Sequence, residues 1–153
     1  MINIGDVAYN FSLPDYTNTM YTLKQFRGKR VVLYFYPKDD TIGCTQQACC
    51  YKKFYKEFLE LDVALIGISI DSTESHAKFR NNFDLPFLLL SDSTKEVCEQ
   101  YDVLKEKQMF GKKYMGVVRT TYIIDKNGLV EKVYEKVNPR EDAEMVLKYL
   151  KNR

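Results

Sequence analysis

Seven residues near the front of the chain limit its fold more than any others. Arg30-Val31-Val32-Leu33-Tyr34-Phe35-Tyr36 is a nearly continuous apolar, β-branched and aromatic run. Such a run suits a strand covered on both faces, as in a parallel sheet with helices packed against it. Pro37 breaks the strand, and after Lys38-Asp39-Asp40-Thr41-Ile42-Gly43 a helical pattern opens at Cys44. The helix is predicted from about Ile42 to Leu61. Cys44, Ala48, Tyr51, Tyr55, Phe58 and Leu59 keep a helical spacing, while Lys52, Lys53, Lys56, Glu57 and Glu60 supply polar faces.

The remaining pattern repeats this unit. Val63 to Ile70 reads as a second buried strand, and Asp71-Ser72-Thr73 as the cap of a helix reaching about Phe83. Phe87 to Leu90 is a third strand. Ser93 and Glu96 form a capping-box pattern for a short helix through Tyr101. Residues 105–116 are polar and glycine-punctuated, and read as a loop. Val117 to Ile124 is a strand, and Asp125-Lys126-Asn127-Gly128 turns it into Leu129 to Tyr134. Asn138-Pro139-Arg140-Glu141 starts the final helix, whose core stripe is Ala143, Val146, Leu147 and Leu150. Ahead of the first long strand the chain reads as irregular. Pro14-Asp15 and Asn18-Thr19 mark turns there, and Thr22 to Phe26 a short helical turn. The order β-α-β-α-β-α, β-hairpin, α implies a central mixed β-sheet flanked by helices, the order of a thioredoxin-like α/β fold. At 153 residues, one domain over 1–153 is the natural reading.

The net charge of +2, with both signs interspersed, gives no basic face for nucleic acid. The opening Met1-Ile2-Asn3-Ile4-Gly5-Asp6 has no basic stretch followed by a long apolar one, and no run reaches membrane-spanning length. The expectation is therefore a cytoplasmic protein with no nucleic-acid or membrane partner. In that compartment cysteines serve catalysis, metal binding or packing rather than stapling.

Four cysteines are present. Unpaired N–H groups at a helix start favour negative charge. A thiol there ionises more readily, and the thiolate is the reactive form. Cys44 occupies such a start, although cysteine is also among the most commonly buried residues. Thr41 lies on the turn with a hydroxyl able to bond a group held at the thiolate. Pro37 shapes the turn and shields the sulfur, and Gly43 allows close approach of a small ligand. Cys49 follows five residues later. On an intact helix that spacing separates the Cα atoms by about 8.6 Å, beyond the roughly 7 Å a disulfide tolerates. Any bond between them requires the first turns to unwind. Cys50 is farther still, at about 10 Å, and reads as helix packing, as does Cys98 in the short helix. Arg119 interrupts an apolar strand and shares a face with Val117, Thr121 and Ile123. A charge there needs a partner, which a thiolate or a surface carboxylate supplies, and an exposed edge position explains it equally well.

Pro37-Lys38-Asp39-Asp40-Thr41-Ile42-Gly43-Cys44 resembles the peroxiredoxin signature Pro-x-x-x-Thr-x-x-Cys. The chain as a whole is similar to the bacterioferritin comigratory protein, or Q, group of that family. The likeness extends through Phe11-Ser12-Leu13-Pro14-Asp15, Leu33-Tyr34-Phe35-Tyr36-Pro37-Lys38-Asp39, the Cys44 to Cys49 spacing, Gly67-Ile68-Ser69, Phe87-Leu88-Leu89-Leu90-Ser91-Asp92 and Arg119-Thr120-Thr121-Tyr122-Ile123-Ile124-Asp125. It implies a thiol peroxidase acting on hydrogen peroxide and organic hydroperoxides, without a cofactor or metal. Cys44 would be the peroxidatic thiolate that becomes a sulfenic acid, and Cys49 the resolving thiol that closes an intramolecular disulfide. Thr41 would hydrogen-bond the peroxide, Arg119 would hold thiolate and peroxide oxygens, and Pro37 would wall the pocket. The resemblance also implies a monomer recycled by thioredoxin or a glutaredoxin-like reductant, serving antioxidant defence. The chain departs from the family pattern at Ile42, where proline is usual, and at Cys50, which leaves two thiols able to resolve the sulfenic acid.

Two readings from other classes fit less well. A metal module would need ligands, yet Cys-x4-Cys-Cys matches no zinc pattern and the one histidine, His76, sits on another helix. A thioredoxin-type disulfide oxidoreductase would need the Cys-x-x-Cys pair that is missing.

Overall fold

The computed structural model describes residues 2–152. A short antiparallel hairpin comes first, β1 (Ser12–Pro14) with β2 (Met20–Thr22), so the opening is more ordered than its turn residues suggest. A single 3-10 turn follows at Leu23–Phe26, held by a capping box between Thr22 and Gln25. Then come β3 (Arg30–Phe35), α1 (Ile42–Glu60), β4 (Val63–Ser69), α2 (Thr73–Phe83), β5 (Leu88–Ser91) and α3 (Glu96–Gln100). A second hairpin, β6 (Leu104–Met109) with β7 (Lys112–Val117), leads to β8 (Thr120–Ile124), β9 (Val130–Tyr134) and α4 (Asp142–Lys151).

The central sheet has the order β5-β4-β3-β8-β9. β3, β4 and β5 are parallel, while β8 runs antiparallel to β3 and β9 antiparallel to β8. This is the mixed sheet expected from the element order. β3 shows why its sequence is apolar throughout. Val32, Tyr34 and Tyr36 enter one core with α1, α2 and α4, whereas Val31, Leu33 and Phe35 enter the other with α3 and the N-terminal segment. Side chains alternate across a strand, so a strand buried on both sides has no polar position to spare.

Four expectations need correction. Residues 105–116 are not a loop but most of the β6–β7 hairpin, whose strands pair only with each other. Its outward residues meet water, so nothing in it demands an apolar alternation. Arg119 does not lie in a continuous strand from Val117 to Ile124, because β7 ends at Val117 and β8 starts at Thr120. The Ser93–Glu96 capping box does not form either. Lys95 is the N-cap of α3 in a left-handed conformation, and the Asp92 carboxylate accepts from the N–H groups of Val97 and Cys98 instead. The last helix also begins later than Pro139 suggests. Asn138 to Glu141 form a turn, and Asp142 is the first helical residue.

Candidate active site

The site is assembled where β3 gives way to α1. Leaving the sheet, the chain is tied down at Asp39, which is buried. Tyr36 Oη donates to Asp39 Oδ1 at 2.6 Å, Ser75 Oγ donates to Oδ2 at 2.8 Å, and His76 Nδ1 lies 2.6 Å from Oδ2. The backbone N–H of Asp39 donates to Asp71 Oδ2 at 2.8 Å, which also accepts from Ser69 Oγ. One carboxylate oxygen each of Asp39 and Asp71 and one ring nitrogen of His76 lie within 4.8 Å of one another. Protein groups already engage them, and His76 Nε2 lies 3.0 Å from the Leu90 carbonyl. Their evident work is to fasten the 37–41 loop to the ends of β4 and α2.

Beyond Asp39 the restraint weakens. Thr41, the N-cap of α1, makes no side-chain capping bond. Its hydroxyl donates to the Lys38 carbonyl at 2.8 Å, and an oxygen that donates one bond keeps its capacity to accept. The first turn of α1 carries no acidic residue. Its leading N–H groups are therefore left to whatever anion arrives at the helix end.

Cys44 is the third residue of α1 and is buried at 1% relative exposure. Arg119 Nη1 donates to its sulfur at 3.2 Å. The arginine reaches it from the β7–β8 link, whose backbone is pinned on both sides: Val118 N–H donates to the Val103 carbonyl and Val137 N–H to the Arg119 carbonyl. Gly43 has a role that its sequence position does not reveal. A Cβ there would stand 2.6 Å from Arg119 Nη2 and 3.7 Å from Pro139 Cγ, so the missing side chain is the space the guanidinium occupies. Lys107, on β6, donates to the Val117 carbonyl at 2.6 Å. Burial, and after it the charge of Arg119, pull its amine below the ordinary lysine range, while Cys44 acts in the opposite sense. Pro37 is half-buried and Thr41 exposed, on the strand-to-helix turn that leads to Cys44.

The other cysteines separate by environment. Cys49 is half-buried on the same uninterrupted helix as Cys44. Cys50 donates its thiol to the Arg140 carbonyl at 3.6 Å, and burial together with the neighbouring Cys49 raises its pKa. Cys98 is enclosed in α3, where burial and then Asp92 push its thiol far up; it packs.

Two residues of the site escaped the sequence reading. Gln47 is fully buried, accepts from Arg119 Nη1 at 2.9 Å and donates to Asp142 Oδ2 at 3.0 Å. Asp142 is fully buried as well. A polar residue at an i+3 position from Cys44 was the available signal for Gln47. For Asp142 no local signal exists.

The AhpC/TSA family model matches residues 4–133 of the chain. Over 99% of its length the chain is 43% identical to Peroxiredoxin Bcp of Bacillus subtilis, covering 96% of that protein. Over 98% of its length it is 40% identical to Peroxiredoxin Bcp of Escherichia coli, again covering 96%. Among solved structures, a Xylella fastidiosa PrxQ superposes with a TM-score of 0.94 at 32% identity, over 99% of this chain and 97% of that one. The Xanthomonas campestris bacterioferritin comigratory protein, studied for its alkyl peroxide reduction, superposes with a TM-score of 0.91 at 32% identity, over 99% and 97%.

Proposed function

This chain belongs to the AhpC/TSA family, as a peroxiredoxin of the Bcp (Q) group, and we propose that Cys44 is the thiol with which it reduces peroxides. A peroxiredoxin is a thiol peroxidase, so the question is how these residues serve that reaction. The observation that carries the assignment is the Arg119 Nη1 donor 3.2 Å from Cys44 Sγ, at a helix start with no side-chain cap.

The Cys44 thiolate attacks one peroxide oxygen and the O–O bond breaks. The departing oxygen leaves with the electron pair as alkoxide or hydroxide and takes up a proton, giving alcohol or water, while Cys44 becomes a sulfenic acid. Negative charge passes from sulfur to the leaving oxygen in this step. Arg119 and the open N–H groups of α1 are donors fixed in advance around that path. The Thr41 hydroxyl donates its hydrogen bond to the Lys38 carbonyl, so its oxygen is free to accept one from the peroxide O–H. Pro37 closes the pocket on the strand side. Alkyl hydroperoxides as well as hydrogen peroxide are the expected substrates, in keeping with the Xanthomonas campestris relative.

The sulfenic acid is then attacked by Cys49, releasing water and forming a disulfide. Both residues sit on the continuous helix α1, so the first turns must open. The absent cap at Thr41 and the glycine at 43 lower the cost of opening there. Cys49 is favoured over Cys50, whose thiol is held by the Arg140 carbonyl and whose ionisation burial opposes. A dithiol protein of thioredoxin or glutaredoxin type reduces the disulfide by exchange. We further propose a cytoplasmic monomer without nucleic-acid or membrane partners. Among the described residues no helix is long and apolar enough to cross a membrane. The deciding experiment is mass analysis after one equivalent of hydrogen peroxide, with peptide mapping under non-reducing conditions. A Cys44–Cys49 link is expected. A Cys44–Cys50 link reassigns resolution, and an unmodified protein overturns the site.

A further inference from the structure

Behind Arg119 lies a buried carboxylate that the peroxide chemistry does not use. Asp142 opens α4, and its Oδ2 accepts three hydrogen bonds: from Tyr51 Oη at 2.6 Å, Thr121 Oγ1 at 2.9 Å and Gln47 Nε2 at 3.0 Å. Its Oδ1 is buried and has no hydrogen-bond partner among the described residues. Burial pushes this carboxyl up, against the pull of its three donors and of Arg119. An enclosed carboxylate with half its acceptor capacity unused is costly to keep. Tying α4 to α1 and β8 would need only the Tyr51 and Thr121 bonds. The third bond, to Gln47, leads to the site.

A glutamine amide can be seated two ways round, but its neighbours here permit one. A guanidinium only donates and a carboxylate only accepts. With Asp142 on one side and Arg119 on the other, Nε2 must face Asp142 and Oε1 must face Arg119. The same arginine nitrogen, Nη1, donates to Gln47 Oε1 at 2.9 Å and to Cys44 Sγ at 3.2 Å. It carries two hydrogens in the plane of a rigid group, so fixing one direction fixes the other.

We propose that Asp142 is a positioning residue for the peroxide reaction: its Oδ2 locks the Gln47 amide with Oε1 toward Arg119, and so aims the guanidinium at Cys44 Sγ. The inference rests on the roles given above to Cys44 and Arg119. It concerns Oδ2 as an acceptor rather than its charge. Asparagine can keep an oxygen at the Oδ2 position and place its amide nitrogen at the unpartnered Oδ1 position, whereas leucine cannot supply the acceptor.

The test is the rate of Cys44 oxidation by stoichiometric hydrogen peroxide as a function of pH, in wild type, Cys44→Ser, Asp142→Asn, Asp142→Leu, Gln47→Leu and the Asp142→Leu/Gln47→Leu double variant. Asp142→Leu and Gln47→Leu should each lose about 10- to 100-fold, the range a misplaced group costs. Asp142→Asn should stay within about threefold of wild type, and the double variant should be no slower than either single one. The pH of half-maximal rate supplies a second readout. Loss of a nearby negative charge alone would lower it, and a looser fold alone would leave it unchanged, whereas a misdirected Arg119 raises it. An Asp142→Leu rate near wild type, a lowered or unchanged half-maximal pH, or losses that multiply in the double variant would overturn the proposal. Should Asp142→Leu not fold, Gln47→Leu carries the test, since it leaves Tyr51 and Thr121 on Asp142; an unimpaired Gln47→Leu overturns the proposal too. If wild type itself does not oxidise at Cys44, the site assignment fails. If wild type reacts and the variants match it, only this inference fails.

Discussion

The starts of α1 and α2 are built on the same plan and finished differently. Each helix follows a parallel strand of the central sheet, β3 before α1 and β4 before α2. At α2 the Ser72 hydroxyl accepts from the Ser75 N–H at 3.1 Å, and Glu74 places negative charge in the first turn. One exposed donor is taken up by the chain itself, and the Glu74 carboxylate answers the positive end of the helix. At α1 Thr41 turns its hydroxyl to Lys38, no acidic residue enters the first turn, and the end is occupied by Gly43, Cys44 and the Arg119 guanidinium. About 1 kcal/mol of capping is forgone there. On the mechanism proposed here, one fold separates stability from reactivity: a closed helix start serves the scaffold, and an open one would receive an anion and let its first turn unwind. The Asp39 anchor marks the boundary, because the loop up to it is fastened to α2 and the residues after it are not.

The contrast can be tested from its largest consequence downward. Cys44→Ser should abolish peroxide turnover, and sustained turnover in that variant would remove α1 from the chemistry altogether. Arg119→Ala should slow Cys44 oxidation by about 10²- to 10³-fold, the scale of losing a preorganised donor at a developing charge; stopped-flow kinetics with hydrogen peroxide reads it. Cys49→Ser should leave the first oxidation unchanged while lowering thioredoxin-driven turnover by about tenfold or more. Normal coupled turnover would hand resolution to Cys50 or to an external thiol. Gly43→Ala sharpens the comparison. Alanine suits a helix better by up to about 1 kcal/mol, yet its Cβ would press on Arg119 Nη2. Thermal stability should hold or rise while oxidation slows, so a rate equal to wild type would show that the arginine has room to spare. Ser72→Ala should cost about 1 kcal/mol of stability with no effect on the peroxide rate. A matching loss of activity would mean that the two helix starts are not independent.

Legibility in the sequence followed the range of the interaction. β3, α1, β4 and α2 were readable because apolar period and capping residues act within a few positions. The β6–β7 hairpin was not, since an exposed two-stranded ribbon has no buried face to impose alternation. Arg119 stands out in the sequence as an anomalous charge, but the strand position the pattern gives it is not the one it holds. Its aim comes from the link between β7 and β8 and from the vacancy at Gly43.

The sequence by itself determined that a cysteine opens a helix after a doubly buried strand, and that the next cysteine on that helix is out of reach while the helix stands. Both follow from local periodicity and fixed helical rise. Only the tertiary structure decided what surrounds the sulfur. Arg119 lies 75 residues from Cys44, and Asp142 95 residues from Gln47. Neither propensity nor spacing ranks one distant polar residue over another. The packing of β8 and α4 against α1 brings these particular groups within hydrogen-bond range and out of water, where an unmatched donor or acceptor is expensive and a matched one is held in place.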